Sequence, residues 1–125
     1  MSLSVIIDAV RSPIGVKRGN MAHNVRPDDL MAQTLKALLE RNLDFDVNHL
    51  EDVVVGCGYP EGSQGMLLAR SAAVLAGVPV EAGAKVVNRL CGSSMDAVHQ
   101  LSRAIEVGDI DAGIAGGVED MFTVP

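Results

Sequence analysis

A cysteine between an apolar strand and a helix is the feature of this sequence best suited to covalent chemistry. Cys91 follows a short predicted strand within residues 85–88 and precedes the small residues Gly92 and Ser93. A thiol at a helix N-terminus lies beside unpaired N–H groups and the positive end of the helix dipole, which favour the thiolate. Such a thiolate can attack a carbonyl group, and nearby N–H groups can stabilise the oxyanion. The alternative is a buried structural cysteine, and the local pattern alone favours neither.

A cysteine nucleophile needs a base, and the sequence offers His23, His49 and His99. His99 lies eight positions after Cys91, which is about 12 Å along a helix and too far for a direct hydrogen bond. His23 and His49 lie in polar surroundings typical of surface histidines. We therefore expect that a catalytic partner of Cys91 lies outside this sequence.

The glycine-rich stretch at residues 56–62 has the spacing of a weak dinucleotide-binding motif. Pro60 and Glu61 stand where backbone donors should meet a pyrophosphate, and the carboxylate of Glu61 would repel it. The sequence therefore does not favour a nicotinamide or flavin site.

Two other groups of charged residues indicate surface loops. Glu119 and Asp120 are neighbours and point in different directions, so we interpret them as a polar turn. Arg11, Lys17 and Arg18 lie near acidic residues, which favours a solvated loop over a phosphate site.

Successive strands and helices predict an α/β fold with a mixed, mainly parallel four-stranded sheet covered on both faces by helices. One helix begins at Pro27, and another begins after Gly92 with Met95, Val98, Leu101 and Ile105 on one face. The predicted strands lie within residues 5–10, 53–55, 85–88 and 110–115, and a third helix lies at residues 66–76.

Composition indicates one globular domain over residues 1–125. The chain is 48% hydrophobic and carries a formal net charge of −6, which argues against a nucleic-acid partner. The two cysteines, Cys57 and Cys91, form no metal-ligand spacing. No apolar run is long enough to span a membrane, and we expect a cytoplasmic protein.

Several blocks of this sequence resemble the thiolase family. Residues 88–94 (NRLCGSS) resemble the motif around the acyl-accepting cysteine, and residues 5–15 resemble the first strand and its loop. Gln64-Gly65 with residues 69–73, and residues 116–121 (GGVEDM), extend the resemblance from about residue 4 to residue 125. Leu67 departs from the asparagine common in the family.

The resemblance implies a thiolase-like layered fold and a thiolase mechanism. Cys91 maps onto the nucleophile, and its N–H maps onto one oxyanion donor. The resemblance also implies that coenzyme A is the co-substrate and that no prosthetic group is bound. The motifs are most similar to the degradative 3-ketoacyl-CoA thiolases of fatty-acid β-oxidation, and they are also similar to the acetoacetyl-CoA-forming branch. The resemblance also implies an acyl-CoA substrate and a homodimer or homotetramer.

The family's activating histidine, second cysteine and CoA-covering loop domain have no counterpart in these residues. The sequence is therefore expected to be the N-terminal part of a thiolase that stops before the rest of the active site, and to be inactive alone. Two alternatives are a non-catalytic association module with this half-fold and a nucleotide-binding oxidoreductase.

Overall fold

A three-stranded parallel sheet forms the centre of the computed structural model, which describes residues 3–123. The strands are β1 (Asp52–Gly56), β2 (Gly83–Val87) and β3 (Gly113–Gly117), in the order β2-β1-β3. Their register is unbroken, so all three strands end level with one another. The segments that leave the carboxyl ends of the strands are therefore neighbours in space.

Helices cover both faces of this sheet. The helices α2 (Pro27–Arg41) and α3 (Leu68–Ala76) pack on one face, and α4 (Ser93–Val107) packs on the other; a single turn, α1 (Met21–Asn24), precedes them. Short 3-10 turns occupy Val47–His49 and Gly62–Gln64. The predicted α/β architecture is confirmed.

The valines of β1 link the two sides of the core. Val53 and Val55 belong to the cluster with α2 and α3, whereas Val54 belongs to the cluster with α4. Successive strand side chains point to opposite faces, and all three valines are fully buried. Burying a valine stabilises the fold by about 1.5–3 kcal/mol relative to leaving it exposed.

The helix boundaries follow the capping residues. Pro27 is at the first turn of α2, with Asp28 and Asp29 beside the positive end of its dipole. The helices α3 and α4 end at Gly77 and Gly108, whose φ values of 88° and 82° are left-handed. These stop signals were predictable from the sequence.

The prediction of a first strand at residues 5–10 is wrong. Val5, Ile6 and Ile7 are 75–81% exposed, and none of the described residues pairs with this segment in a sheet. Ser4 hydrogen-bonds Ser102 on α4, and Asp8 accepts a hydrogen bond from Asn42 beyond α2. Among the described residues the segment therefore has no neighbouring strand, and β propensity is realised only where a partner strand is available.

A cavity separates this segment from the sheet, and we call it the edge cavity. It has a volume of about 780 Å³ and is lined by residues 3–12, by β3 and by parts of α2 and α4. The sheet consequently has three strands in the described part of the chain instead of the four expected.

Candidate active site

Cys91 lies in a tight turn between the end of β2 and the start of α4. Gly92 donates its N–H to the carbonyl of Arg89 at 3.0 Å, and Ser93 donates to the carbonyl of Leu90 at 3.1 Å. Gly92 is the N-cap residue of α4, and Cys91 immediately precedes it with an exposed side chain. The predicted position at a helix N-terminus is therefore confirmed.

The residue before the cysteine has an unusual backbone conformation. Leu90 has a φ of 48°, in the left-handed region that costs a residue with a side chain about 1–3 kcal/mol. Three bonds hold this conformation. The Leu90 N–H donates to Asn88 Oδ1 at 2.9 Å, Ser93 Oγ donates to the Leu90 carbonyl at 2.6 Å, and Ser93 Oγ accepts from the Arg89 N–H at 2.9 Å.

The first turn of α4 lies directly against the carboxyl ends of two strands. A Cβ atom added to Gly56 would be 2.3 Å from the Ser94 backbone nitrogen, and one added to Gly117 would be 2.6 Å from Ser94 Cβ. Only glycine allows this approach. The position of the Cys91 turn is thus set by β1 and β3 as well as by β2.

The predicted buried face of α4 is partly wrong. Met95 and Val98 are 65% and 43% exposed, whereas Ser93, Ala97 and Leu101 are buried. The buried stripe of α4 thus includes the small side chains of Ser93 and Ala97 with Leu101, and the apolar periodicity identified only part of it.

Glu119, which we interpreted as part of a polar turn, contacts the loop after β1. Its Oε2 accepts from the Gly58 N–H at 2.6 Å, and its Oε1 accepts from the Tyr59 N–H at 3.2 Å and from Gln64 Nε2 at 3.0 Å. Gln64 is fully buried and also accepts from the Asp120 N–H at 2.8 Å. The available sequence signal was the predicted parallel pairing, because the carboxyl ends of parallel strands lie at the same edge of a sheet.

Asp120 does form the expected turn, since its carboxylate accepts from the Phe122 N–H at 2.8 Å. The Glu119 carboxylate occupies the Gly58 and Tyr59 donors that a pyrophosphate would require. This geometry agrees with the sequence argument against a dinucleotide site at residues 56–62.

The two cysteines have different surroundings. Cys57 is 1% exposed, and burial, followed by the charge of Glu119, raises the pKa of its thiol from 9.0 to about 11. Cys91 is exposed, and both cysteines are free. At neutral pH only Cys91 combines access with a helix N-terminus, so it is the candidate nucleophile.

The histidines do not complete a pair with Cys91. His23, His49 and His99 are all exposed, and within residues 3–123 no hydrogen bond joins any of them to the Cys91 thiol. The same residues contain no group of three or more metal-binding side chains. Arg11, Lys17 and Arg18 are exposed as expected for a solvated loop. No helix in the described part of the chain has the length and apolar character needed to cross a bilayer.

Comparison with known proteins agrees with the resemblance found in the sequence. Residues 4–125 match the family described as the thiolase N-terminal domain. The chain is 51% identical over 121 residues to a 3-ketoacyl-CoA thiolase of Aeromonas hydrophila, with 97% of this chain and 31% of that protein aligned. It is 50% identical over 125 residues to a 3-ketoacyl-CoA thiolase of Shewanella loihica, covering 100% of this chain and 32% of that protein. The chain thus spans about a third of the length of these relatives.

Proposed function

Because this chain belongs to the thiolase family, we propose that it provides the nucleophilic cysteine of a 3-ketoacyl-CoA thiolase, with Cys91 as the acyl acceptor. The observation that carries the proposal is the exposed Cys91 thiol at the start of α4, at the carboxyl edge of the sheet. Cys57 is unsuited to this role, because its thiol is buried and protonated at neutral pH.

In the proposed reaction, the Cys91 thiolate attacks the 3-keto carbon of an acyl-CoA. The electron pair of the bond between carbons 2 and 3 leaves with acetyl-CoA, which takes up a proton, while the shortened acyl chain stays on Cys91 as a thioester. The thiol of a second CoA then loses its proton and attacks this thioester, which releases the shortened acyl-CoA and restores the thiolate. The reverse sequence condenses two acyl-CoA molecules.

The proton transfers require groups beyond the Cys91 turn. In the proposed whole protein, a histidine and a second cysteine in the part that this chain does not span supply them. Cys91 alone is expected to accept an acyl group slowly and not to turn over. Coenzyme A acts as co-substrate, and the proposed physiological setting is fatty-acid degradation.

A second role, association between copies of this half-fold, is favoured by apolar side chains exposed near α3 and β2. Met66 and Leu67 are 94% and 58% exposed, and Leu75 and Val80 are 60% and 66% exposed. Such a group of exposed apolar side chains is typical of an interface, and fits the expected homodimer or homotetramer. Sedimentation of the wild-type chain and of a Leu75→Asp variant tests this role.

Intact-mass analysis after incubation with acetyl-CoA or acetoacetyl-CoA tests the catalytic proposal. We expect a covalent adduct of about 42 Da on the wild-type chain, since an activated cysteine takes up the acyl group in the first step. The adduct should persist in Cys57→Ala and disappear in Cys91→Ala. An adduct retained by folded Cys91→Ala, or none on a wild-type chain whose Cys91 reacts readily with iodoacetamide, would contradict the proposal.

A further inference from the structure

We infer that Glu119 is a positioning residue for the Cys91 turn, acting through the backbone of Gly58 and the side chain of Asn88. This inference rests on the proposed role of Cys91 as nucleophile. It assigns a task to a carboxylate that makes no direct contact with the cysteine and that the sequence pattern placed in a surface turn.

The first step is the hold of Glu119 on the loop after β1. Its two oxygens accept from the Gly58 N–H at 2.6 Å, from the Tyr59 N–H at 3.2 Å, and from the Cys57 thiol at 3.6 Å. Gln64 Nε2 adds a bond at 3.0 Å and is itself fully buried. The carboxylate therefore joins three consecutive residues of this loop, Cys57 to Tyr59, to the exit of β3.

The second step is the contact between Gly58 and the turn that carries the cysteine. The Gly58 carbonyl accepts from Asn88 Nδ2 at 3.0 Å, and Oδ1 of the same amide accepts from the Leu90 N–H at 2.9 Å. Asn88 thus joins the loop to the residue before Cys91. A shift of Gly58 would be transmitted to Leu90, whose left-handed conformation at φ 48° depends on its hydrogen bonds.

Packing supports the same connection. A Cβ atom on Gly58 would lie 2.9 Å from Glu119 Oε2 and 3.5 Å from both Cα and the carbonyl oxygen of Leu90. Gly58 therefore lies between the carboxylate and the nucleophile turn, where an added Cβ would contact Leu90 and displace the Glu119 carboxylate from its present position.

The chemistry of the donors explains why a carboxylate is used here. All the groups that face Glu119 in this cluster are donors, and an ionised carboxylate has acceptors only. A glutamine at this position would place its NH₂ group against an N–H or thiol donor, at the cost of at least one bond.

The direction of the change in the Cys91 alkylation rate distinguishes a positioning role of Glu119 from an electrostatic one. Removal of a negative charge near a thiol favours the thiolate and should accelerate its reaction with iodoacetamide. Loss of position should slow the reaction, because it moves the thiol away from the N–H groups at the start of α4, which stabilise the reacting thiolate. We expect Glu119→Gln to lower the alkylation rate constant of Cys91 by roughly tenfold at neutral pH.

The measurement follows alkylation of Cys91 by iodoacetamide with peptide mass spectrometry, and uses Glu61→Gln as the matched control. Glu61 lies in the same loop with an exposed side chain, so its variant should match the wild-type rate. Circular dichroism and the thermal midpoint identify any variant that is unfolded. A folded Glu119→Gln with an unchanged or raised rate would overturn the inference.

A double-mutant cycle with Asn88→Ala tests the route through Gly58. If both residues act on the same turn, the double variant should react about as slowly as the slower single variant, and not with the product of the two losses. Gly58→Ala provides a second variant that keeps both residues and fills the space between Glu119 and Leu90; it should also slow Cys91. Multiplicative losses, or a Gly58→Ala rate equal to wild type, would rule out this route.

The outcomes distinguish this inference from the proposed function. If wild-type Cys91 reacts no faster than Cys57, the nucleophile proposal fails before Glu119 is tested. If wild-type Cys91 is reactive and Glu119→Gln leaves its rate unchanged, only the positioning role is lost.

Discussion

Burial gives Cys57 a measurable role in the pH dependence of stability. In the folded chain its thiol has a pKa of about 11, above the ordinary 9.0, first because of burial and then because of Glu119. The folded state therefore holds this proton more tightly than the unfolded state does. Below about pH 9 the associated stability is fully present, and between about pH 9 and 11 it is lost as the unfolded thiol ionises first.

We expect the free energy of unfolding to fall more steeply over this pH range in the wild type than in Cys57→Ala. Urea denaturation at several pH values measures both slopes, and the variant corrects for tyrosine and lysine residues that titrate nearby. Parallel curves for the two proteins would show that Cys57 does not contribute.

Single residues also show where prediction from sequence ends. Cys91 was identifiable because a strand, a cysteine and small residues follow one another in the chain. Glu119 was missed because its partners, Gly58 and Gln64, are more than fifty residues away. Local patterns cannot assign a carboxylate to distant backbone donors unless the sheet order is also used.

At the level of elements, the close approach of α4 to the sheet predicts a strong effect of Gly56→Ala. The added methyl group would lie 2.3–2.7 Å from backbone atoms of Ser93 and Ser94, and backbone cannot yield as a flexible side chain does. We expect a loss of about 2 kcal/mol or more in the free energy of unfolding, together with slower alkylation of Cys91.

Gly92→Ala is the matched control for this variant. Its Cβ would have only the Arg89 carbonyl oxygen nearby, at 3.5 Å, and its φ of −92° suits any residue. Urea denaturation should show a much smaller change for Gly92→Ala. Equal losses in both variants would mean that the contact between α4 and β1 does not limit stability.

Elements were predictable where their signals are local. Pro27 marks the start of α2 and Gly77 the end of α3, and a buried valine run marks β1. The prediction of a strand at residues 5–10 was wrong because a strand requires a neighbouring strand as well as suitable residues. The prediction for the buried face of α4 was partly wrong because that face includes the small side chains of Ser93 and Ala97, which apolar periodicity does not identify.

At the level of the whole molecule, the predicted layers are correct, but the sheet has three strands in the described residues instead of the four predicted. Helices on both faces and parallel strands follow from the alternation of elements along the chain. The order β2-β1-β3 brings the exits of all three strands to one edge, where Cys91, Gly58 and Glu119 lie. The candidate site thus depends on the strand order, because each of the three strands is followed by one of these residues.

The edge cavity has a consequence for the backbone of β3. The Ala112 carbonyl accepts from the Glu51 N–H, and the Val118 N–H donates to the Gly56 carbonyl, each at 3.1 Å. Since the N–H and C=O groups of one residue point to the same side of a strand, those of Ile114 and Gly116 face β1, whereas those of Ala115 face the cavity.

Amide hydrogen exchange along β3 should therefore alternate from one residue to the next. We expect Ile114 and Gly116 to be protected from deuterium, and Ala115 to exchange rapidly because its amide meets solvent in the cavity. Residue-resolved NMR in D₂O measures this pattern. Uniform protection would mean that another strand fills the edge cavity in solution, whereas alternation would mark β3 as a free edge that can accept a further strand.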